Sequence, residues 1–127
     1  MRKDMHRNLI SIVAMTLIVL LASTACQSKP AGADSAATIT IVTTEFKFTP
    51  DTLTVHVGER VQVTLDNTKG TLKHDMYQPE LNIHAEVEAG KKATFDFVPT
   101  KTGTFELVCD VPGHKDAGMV GKLIVQP

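Results

Sequence analysis

The feature that most constrains the fold is a period-two alternation of apolar and polar residues, which recurs along most of the chain. It is clearest at 38–43, 53–57 and 61–65, with shorter segments at 95–97, 105–107 and 122–125. Turn-favouring residues separate these segments: Pro50-Asp51, Gly58-Glu59, 67–70, Gly90, 99–103 and Pro112-Gly113. Alternation of this kind indicates strands with one face on a core. The spacing predicts an all-β, antiparallel Greek-key sandwich or barrel of about seven to eight strands.

The N-terminal segment, 1–25, has the pattern of an export signal peptide. Basic residues at 2, 3 and 7 precede an apolar run at 9–22, which is too short to span a bilayer comfortably. Small residues then lead to Cys26, which resembles the acylated cysteine of bacterial lipoproteins, although Ser23 stands where such signals usually carry Leu. We therefore expect an exported protein of the periplasm or outer cell surface, anchored to the membrane as a lipoprotein through Cys26. Simple cleavage after Ala25 is the alternative.

The remaining chain divides into a tether and one domain. Residues 26–37 are rich in Ala, Ser, Gly, Lys and Pro without periodicity, which indicates a flexible tether, and 38–127 form the predicted folded domain. From residue 26 onward ten Lys and Arg stand against thirteen Asp and Glu, a net charge of about −3. This balance gives no reason to expect a nucleic-acid partner, and we expect a monomer.

Cys109 is the only cysteine after Cys26, so the predicted domain has no partner for an internal disulfide. His114 and Met119 follow it in the segment between the last two predicted strands. Thiolate and thioether sulfur favour cuprous ion, and imidazole suits both oxidation states. Gly113 gives the backbone conformational freedom just before the histidine must point inward. The segment therefore predicts a copper site that needs one more ligand from elsewhere, although Met119 could instead be a core methionine.

His74 is the best candidate for the remaining ligand, because it follows the polar turn at 68–71 and begins a segment that can lie beside the last strands. Two alternatives stay open. His84 could substitute as a histidine ligand, and Met76 would share a strand face with His74 and offer another sulfur. His56 falls on the polar side of its strand and is interpreted as a solvated histidine.

These motifs resemble the cupredoxin family, which includes plastocyanin, azurin and auracyanin. The resemblance covers nearly the whole domain and rests on these segments: 45–50 (EFKFTP) with 53–55, His74-Asp75, Gly103-Thr104-Phe105, Gly113-His114 and Gly118-Met119. The Cys-x4-His spacing is azurin- and auracyanin-like, whereas His-x4-Met is plastocyanin-like, so the subfamily stays open.

The resemblance implies one type 1 copper ion held by His74, Cys109, His114 and Met119. It also implies backbone N–H groups near Asp75 and Val111 that hydrogen-bond the thiolate. Asp75 departs from the Asn or Ser that is common after the first histidine, so the surroundings of the metal, and with them the reduction potential, stay open.

An electron carrier is the function that this site predicts, with redox proteins as donor and acceptor. A copper chaperone, storage or delivery protein is the alternative. We do not expect an enzyme, because four protein ligands leave no open coordination position for a substrate. We also expect the outer ring edge of His114 to reach the surface among small or apolar neighbours, where a partner could approach.

Overall fold

The structure is a computed structural model that describes residues 36–127. The predicted signal peptide at 1–25 and nearly all of the predicted tether at 26–37 lie outside the described residues. Among the described residues, no helix is long and apolar enough to cross a membrane.

Nine β-strands and one short 3₁₀ helix make up the described part of the chain. The strands are β1 (Ala37–Thr44), β2 (Lys47–Thr49), β3 (Thr52–His56), β4 (Val61–Asp66), β5 (His74–Gln78), β6 (Ile83–Val87), β7 (Lys92–Phe97), β8 (Gly103–Val108) and β9 (Val120–Gln126), and the 3₁₀ helix is Pro79–Leu81. The predicted all-β class is confirmed. There is one strand more than the seven to eight expected. The short β2, which Pro50-Asp51 separates from β3, was not among the predicted strands and belongs to a different sheet from β3.

The strands form two sheets, with the order β2-β1-β4-β7 in one and β3-β9-β8-β5-β6 in the other. Most neighbours are antiparallel, but β1 runs parallel to β4 and β3 runs parallel to β9. The expectation of a purely antiparallel arrangement was therefore wrong at these two pairs. Alternation along one strand reports which face is buried, not the direction of the neighbouring strand.

The predicted alternation is confirmed by burial. In β4, Val61, Val63 and Leu65 are fully buried, and the residues between them are partly exposed. In β3, Leu53 and Val55 are buried between exposed neighbours. The inward faces of both sheets thus contribute the apolar residues of the core, whose burial is the main force that holds such a domain together.

Sheet pairing brings distant parts of the chain together at one end of the five-stranded sheet. Strands β5 and β8 are antiparallel, with Tyr77 opposite Val108. The first residue of β5, His74, therefore lies beside the residues that follow β8. Those residues form the ligand loop, 109–119, which connects β8 to β9.

Candidate metal centre

Three predicted ligands meet at this end of the sheet. The ring atom Nδ1 of His74 lies 3.2 Å from Nδ1 of His114, and Sγ of Cys109 lies 3.4 Å from the same His114 nitrogen. The ligating atoms of the three residues all lie within 4.8 Å of one another. His74 and Cys109 are fully buried and His114 is 7% exposed. The structure therefore brings three of the four predicted ligands, His74, Cys109 and His114, together in one group.

The spacing of these donors fits a single metal ion. In zinc sites, imidazole nitrogens lie about 2.0–2.1 Å from the ion and thiolate sulfurs about 2.3 Å. Donors arranged roughly tetrahedrally around one such ion are then about 3.3 to 3.6 Å apart, close to the observed separations. Two imidazoles and one sulfur are also the donors expected of a copper site in a protein.

The sulfur of Cys109 is buried and receives backbone hydrogen bonds. The N–H of Asp75 donates to Sγ at 3.4 Å. Burial raises the pKa of the Cys109 thiol, whereas hydrogen bonds from the backbone of Asp75 and Val111 lower it. The net increase means that a metal must displace a proton when it binds. The predicted hydrogen bond to the sulfur from the backbone N–H of Asp75 is confirmed.

Burial also prepares His74 to act as a ligand. It is the main reason that the pKa of His74 is lowered, and the neighbouring His114 lowers it further. A neutral imidazole is the form that binds metal. Nδ1 of His74 is the nitrogen that faces the other donors. Nε2 is buried and has no hydrogen-bond partner in the described part of the chain.

Backbone hydrogen bonds within the ligand loop fix its shape. The N–H of His114 donates to the carbonyl of Val111, and that of Ala117 donates to the carbonyl of Gly113. Gly113 has a φ of +85°, a conformation that residues with a side chain rarely adopt. The predicted need for a glycine immediately before His114 is confirmed.

The backbone of Met119 is hydrogen-bonded to the backbones of two of these residues, His114 and Cys109. Its N–H donates to the carbonyl of His114 at 3.0 Å, and its carbonyl accepts from the N–H of Cys109 at 3.1 Å. The Met119 side chain is fully buried, but so is that of the alternative, Met76. Burial therefore does not distinguish the two methionines, but the backbone of Met119 is hydrogen-bonded to those of two clustered residues, His114 and Cys109.

Asp75 links the two halves of the site. Its side chain is almost completely buried, and Oδ1 accepts a hydrogen bond of 2.6 Å from the N–H of Asp110. The other carboxylate oxygen lies 3.4 Å from Nε2 of His84. Asp75 thus ties the first strand residue after His74 to the start of the ligand loop. It also places a negative charge close to the sulfur of Cys109.

The other two histidines of the described residues, His84 and His56, lie outside the cluster. The ring of His84 is largely exposed and interacts with Asp75, so it is a partner of that carboxylate and not a member of the three-residue group. His56 is exposed, as predicted, and lies beside Glu59.

Two neighbours of the site had no sequence signal that identified them. The ring of Phe46 packs edge-on against the ring of His114, with 5.0 Å between centroids. The amide Nδ2 of Asn67 donates to the carbonyls of Leu72 and Glu88 and so orders the turn before His74. A side chain at Gly70 would collide with Asn67, since an added Cβ would lie 1.9 Å from Oδ1. The polar composition of 67–71 predicted a turn but not these contacts.

Comparisons with known proteins agree with this architecture. The model of the family described as "Cupredoxin-like domain" matches residues 13–125. The copper-resistant cuproprotein CopI of Rubrivivax gelatinosus is 31% identical over 106 residues, which cover 68% of this chain and 64% of that protein. The chain thus spans slightly less than two thirds of the length of this relative.

Solved structures show the same fold at lower identity. Dithionite-reduced auracyanin from the photosynthetic bacterium Roseiflexus castenholzii superposes with a TM-score of 0.60 and 20% identity, covering 73% of this chain and all of that one. Auracyanin A, described as a "blue" copper protein from Chloroflexus aurantiacus, gives a TM-score of 0.59 and 19% identity, covering 72% of this chain and 100% of its own. At these identities the likeness is one of fold.

Proposed function

The chain belongs to the cupredoxin-like domain family, its cofactor is one copper ion, and we propose that it carries single electrons on that ion. The main support for the proposal is that the three buried residues His74, Cys109 and His114 place their ligating atoms within 4.8 Å of one another. A copper ion held by two imidazoles, one thiolate and one thioether would supply a reversible one-electron couple.

The residues around the site favour a fixed geometry over an adaptable one. Cys109 and Met119 are joined by a backbone hydrogen bond, and Asp75 fastens the start of the ligand loop to β5. Ligands that are held in place need little rearrangement when the charge of the metal changes, which favours rapid electron transfer. With all four positions filled by protein, no position is open to a substrate, so we propose no catalytic role.

Met119 is the proposed axial ligand, and its contribution is testable by substitution. Met119→Leu should leave the copper bound and coloured but shift the reduction potential, because the axial bond is long and weak. Met76→Leu is the matched control, since both methionines are fully buried. A larger change in spectrum or potential from Met76→Leu would assign the sulfur ligand to Met76.

We propose that electrons pass between the site and a partner through His114. The ring is more deeply buried than the sequence led us to expect, since the residue is 7% exposed and Phe46 packs against it. Around it, exposed Pro112, Ala117 and Gly118 carry no charge. Such a surface allows a brief encounter of small area in which few charges must be desolvated. Redox proteins are therefore the proposed partners.

Copper delivery or storage is the second candidate, and the 31% identity to a copper-resistant cuproprotein favours it. A delivery protein must release copper to an acceptor, whereas a carrier must retain it through many redox cycles. The two functions therefore differ in a measurable property, the rate of copper loss relative to the rate of electron exchange.

The deciding experiment measures both rates on the copper-loaded protein. A carrier should show an intense visible band that disappears on reduction and returns on oxidation, together with fast electron self-exchange. Ala117→Asp, which adds a charge to the exposed surface near His114, should slow self-exchange at nearly unchanged potential. Rapid copper release to a chelator without a reversible redox cycle would support delivery instead.

We further propose that the protein is exported and anchored to the membrane through a lipidated Cys26. The proposal rests on the sequence pattern at 1–26. More than one acyl chain is needed for stable anchoring. Mass spectrometry of the mature N-terminus should find Cys26 first and acylated, and an unmodified Cys26 would make the protein a soluble exported one.

A further inference from the structure

The backbone of Phe46 is strained and its side chain is exposed, an unusual combination. Phe46 has a φ of +77°, a region that bulky residues rarely occupy. Its side chain is not buried either, since the residue is 37% exposed. Among the described residues, the other non-glycine residue with positive φ is Asn82, and asparagine tolerates this conformation better. Because burial of the side chain does not explain why this backbone strain is kept, the role of Phe46 is to be sought in the groups that it contacts.

The contact of Phe46 is the ring of His114. The two rings meet edge to face, with centroids 5.0 Å apart and planes at 77°. This arrangement is an attractive one for aromatic groups. His114 is the one member of the three-residue cluster that retains some exposure, and it is held on a loop and not on a strand. Its ring is therefore the member of the cluster best able to turn outward, and Phe46 packs against it.

Hydrogen bonds that the carboxylate of the preceding residue, Glu45, accepts hold Phe46 in this place. Oε1 of Glu45 accepts from the N–H of Thr71 at 2.5 Å, from the Thr71 hydroxyl at 2.9 Å and from the N–H of Leu72 at 3.2 Å. Bonds to a carboxylate are stronger than those between neutral groups. The turn between β1 and β2 thus makes two contacts. Glu45 binds the segment that leads into His74, and Phe46 packs against the ring of His114.

We propose that Phe46 is a positioning residue that holds the His114 ring in its ligating orientation and slows copper exchange with the solution. The inference rests on His114 being a copper ligand, as in the proposed function, and extends it to copper retention. Loss of copper requires at least one ligand to move away. His74 and Cys109 are fully enclosed, so movement of His114 is the accessible route, and Phe46 obstructs it.

The first test is the rate at which a Cu(I) chelator removes copper from the reduced full chain. Phe46→Gly removes the ring and, at a φ of +77°, relieves the backbone, so the variant should fold. It should release copper about tenfold faster than the wild type, from the size of an aromatic pair contact. Phe46→Tyr keeps the ring and should restore the wild-type rate. Val57→Ala is the control, because Val57 is also 37% exposed but belongs to the turn after β3.

The second test needs no copper. In the metal-free chain, outward movement of His114 should uncover Cys109, so iodoacetamide should alkylate Cys109 several-fold faster in Phe46→Gly than in the wild type or Phe46→Tyr. Mass spectrometry of the peptide that contains Cys109 separates this reaction from alkylation of Cys26.

The two tests separate failure of this inference from failure of the copper assignment. Equal alkylation rates and equal copper release in wild type and Phe46→Gly would overturn the positioning role. Equal acceleration by Val57→Ala would also overturn it, because the effect would then reflect general loosening. If the wild type bound no copper, the proposed function would fail, and the alkylation rates would still report whether Phe46 restrains His114.

Discussion

The two sides of the copper site are built in different ways. The ligand loop at 109–119 supplies Cys109 and His114 and is ordered by hydrogen bonds within its own backbone. The opposite side, which we term the upstream wall (45–46 and 67–75), supplies only His74. Its order depends on side-chain bonds between distant residues, such as Glu45 with Thr71, 26 positions apart, and Asp75 with Asp110, 35 apart. We infer that the loop supplies most of the donors that select the metal, whereas the contacts of the wall adjust how firmly the metal is held and, together with Met119, its reduction potential.

The largest effect should come from the loop residue that supplies the sulfur. Cys109→Ser should abolish the visible charge-transfer band, because the band requires a bond between copper and thiolate. Absorption spectra of the copper-loaded variant and wild type measure this directly. A blue or green Cys109→Ser protein would show that the sulfur of Cys109 is not a ligand.

The next largest effect should come from the ligand that the wall provides. His74→Ala should weaken copper binding strongly and alter the visible spectrum, because it removes one of the three clustered donors. His84→Ala is the matched control, since His84 lies outside the cluster and its ring is 56% exposed. Copper titrations of both variants give the comparison. A greater loss of affinity in His84→Ala would place the ligand there and contradict the structure.

A smaller effect is expected at Asp75, where wall and loop meet. Asp75→Asn keeps an oxygen that can accept from the N–H of Asp110 but removes a buried negative charge beside Cys109. A negative charge stabilises the more positive oxidised metal, so the reduction potential should rise. The same change should lower the pKa of the Cys109 thiol in the metal-free protein, because Asp75 contributes to its increase.

Asp110→Asn provides the control for charge alone. Asp110 is exposed, so water screens its carboxylate and the shift in potential should be smaller. Voltammetry of both variants tests the comparison. A fall in potential for Asp75→Asn, or an equal rise in both variants, would contradict the role given to the buried carboxylate.

The difference between the ligand loop and the upstream wall also explains which residues of the site could be predicted from the sequence. Cys109, His114 and Met119 are close together in the sequence, so their chemistry and spacing predicted the loop side of the site. His74 could be proposed only as a candidate beside His84, because pairing of β5 with β8 is a long-range property. Period-two alternation predicted the strands well. It could not show that β1 and β4, or β3 and β9, run parallel.

The neighbours of the ligands were harder to predict for a physical reason. Glu45 and Phe46 form the turn between β1 and β2 and contact residues that are distant in the sequence, so nothing in their local pattern predicts those contacts. Asp75 differs from the Asn or Ser that is common at this position in the family that the sequence resembles. Its bonds to Asp110 and His84 depend on register between strands and on the shape of the ligand loop.

The smallest expected effect concerns the pH dependence of the wall. Hydrogen bonds, above all from the backbone N–H of Thr71, lower the pKa of Glu45 from 4.5 to about 2. Because the folded-state pKa is lower than the unfolded one, the charged carboxylate stabilises the fold fully above pH about 4.5, and this stabilisation is lost as the pH falls towards 2. Glu45→Gln should therefore reduce the free energy of unfolding of the metal-free protein most at pH 6, less at pH 3, and hardly at all near pH 2. The effect should be modest, because Glu45 is exposed and its charge is screened by solvent and salt.

Urea unfolding of the wild type and Glu45→Gln at each pH value measures this effect. Glu59→Gln, which removes the same charge from the partly exposed Glu59 after the turn that follows β3, is the control. An equal loss for Glu45→Gln at pH 6 and pH 3 would show that the carboxylate charge does not hold the wall together.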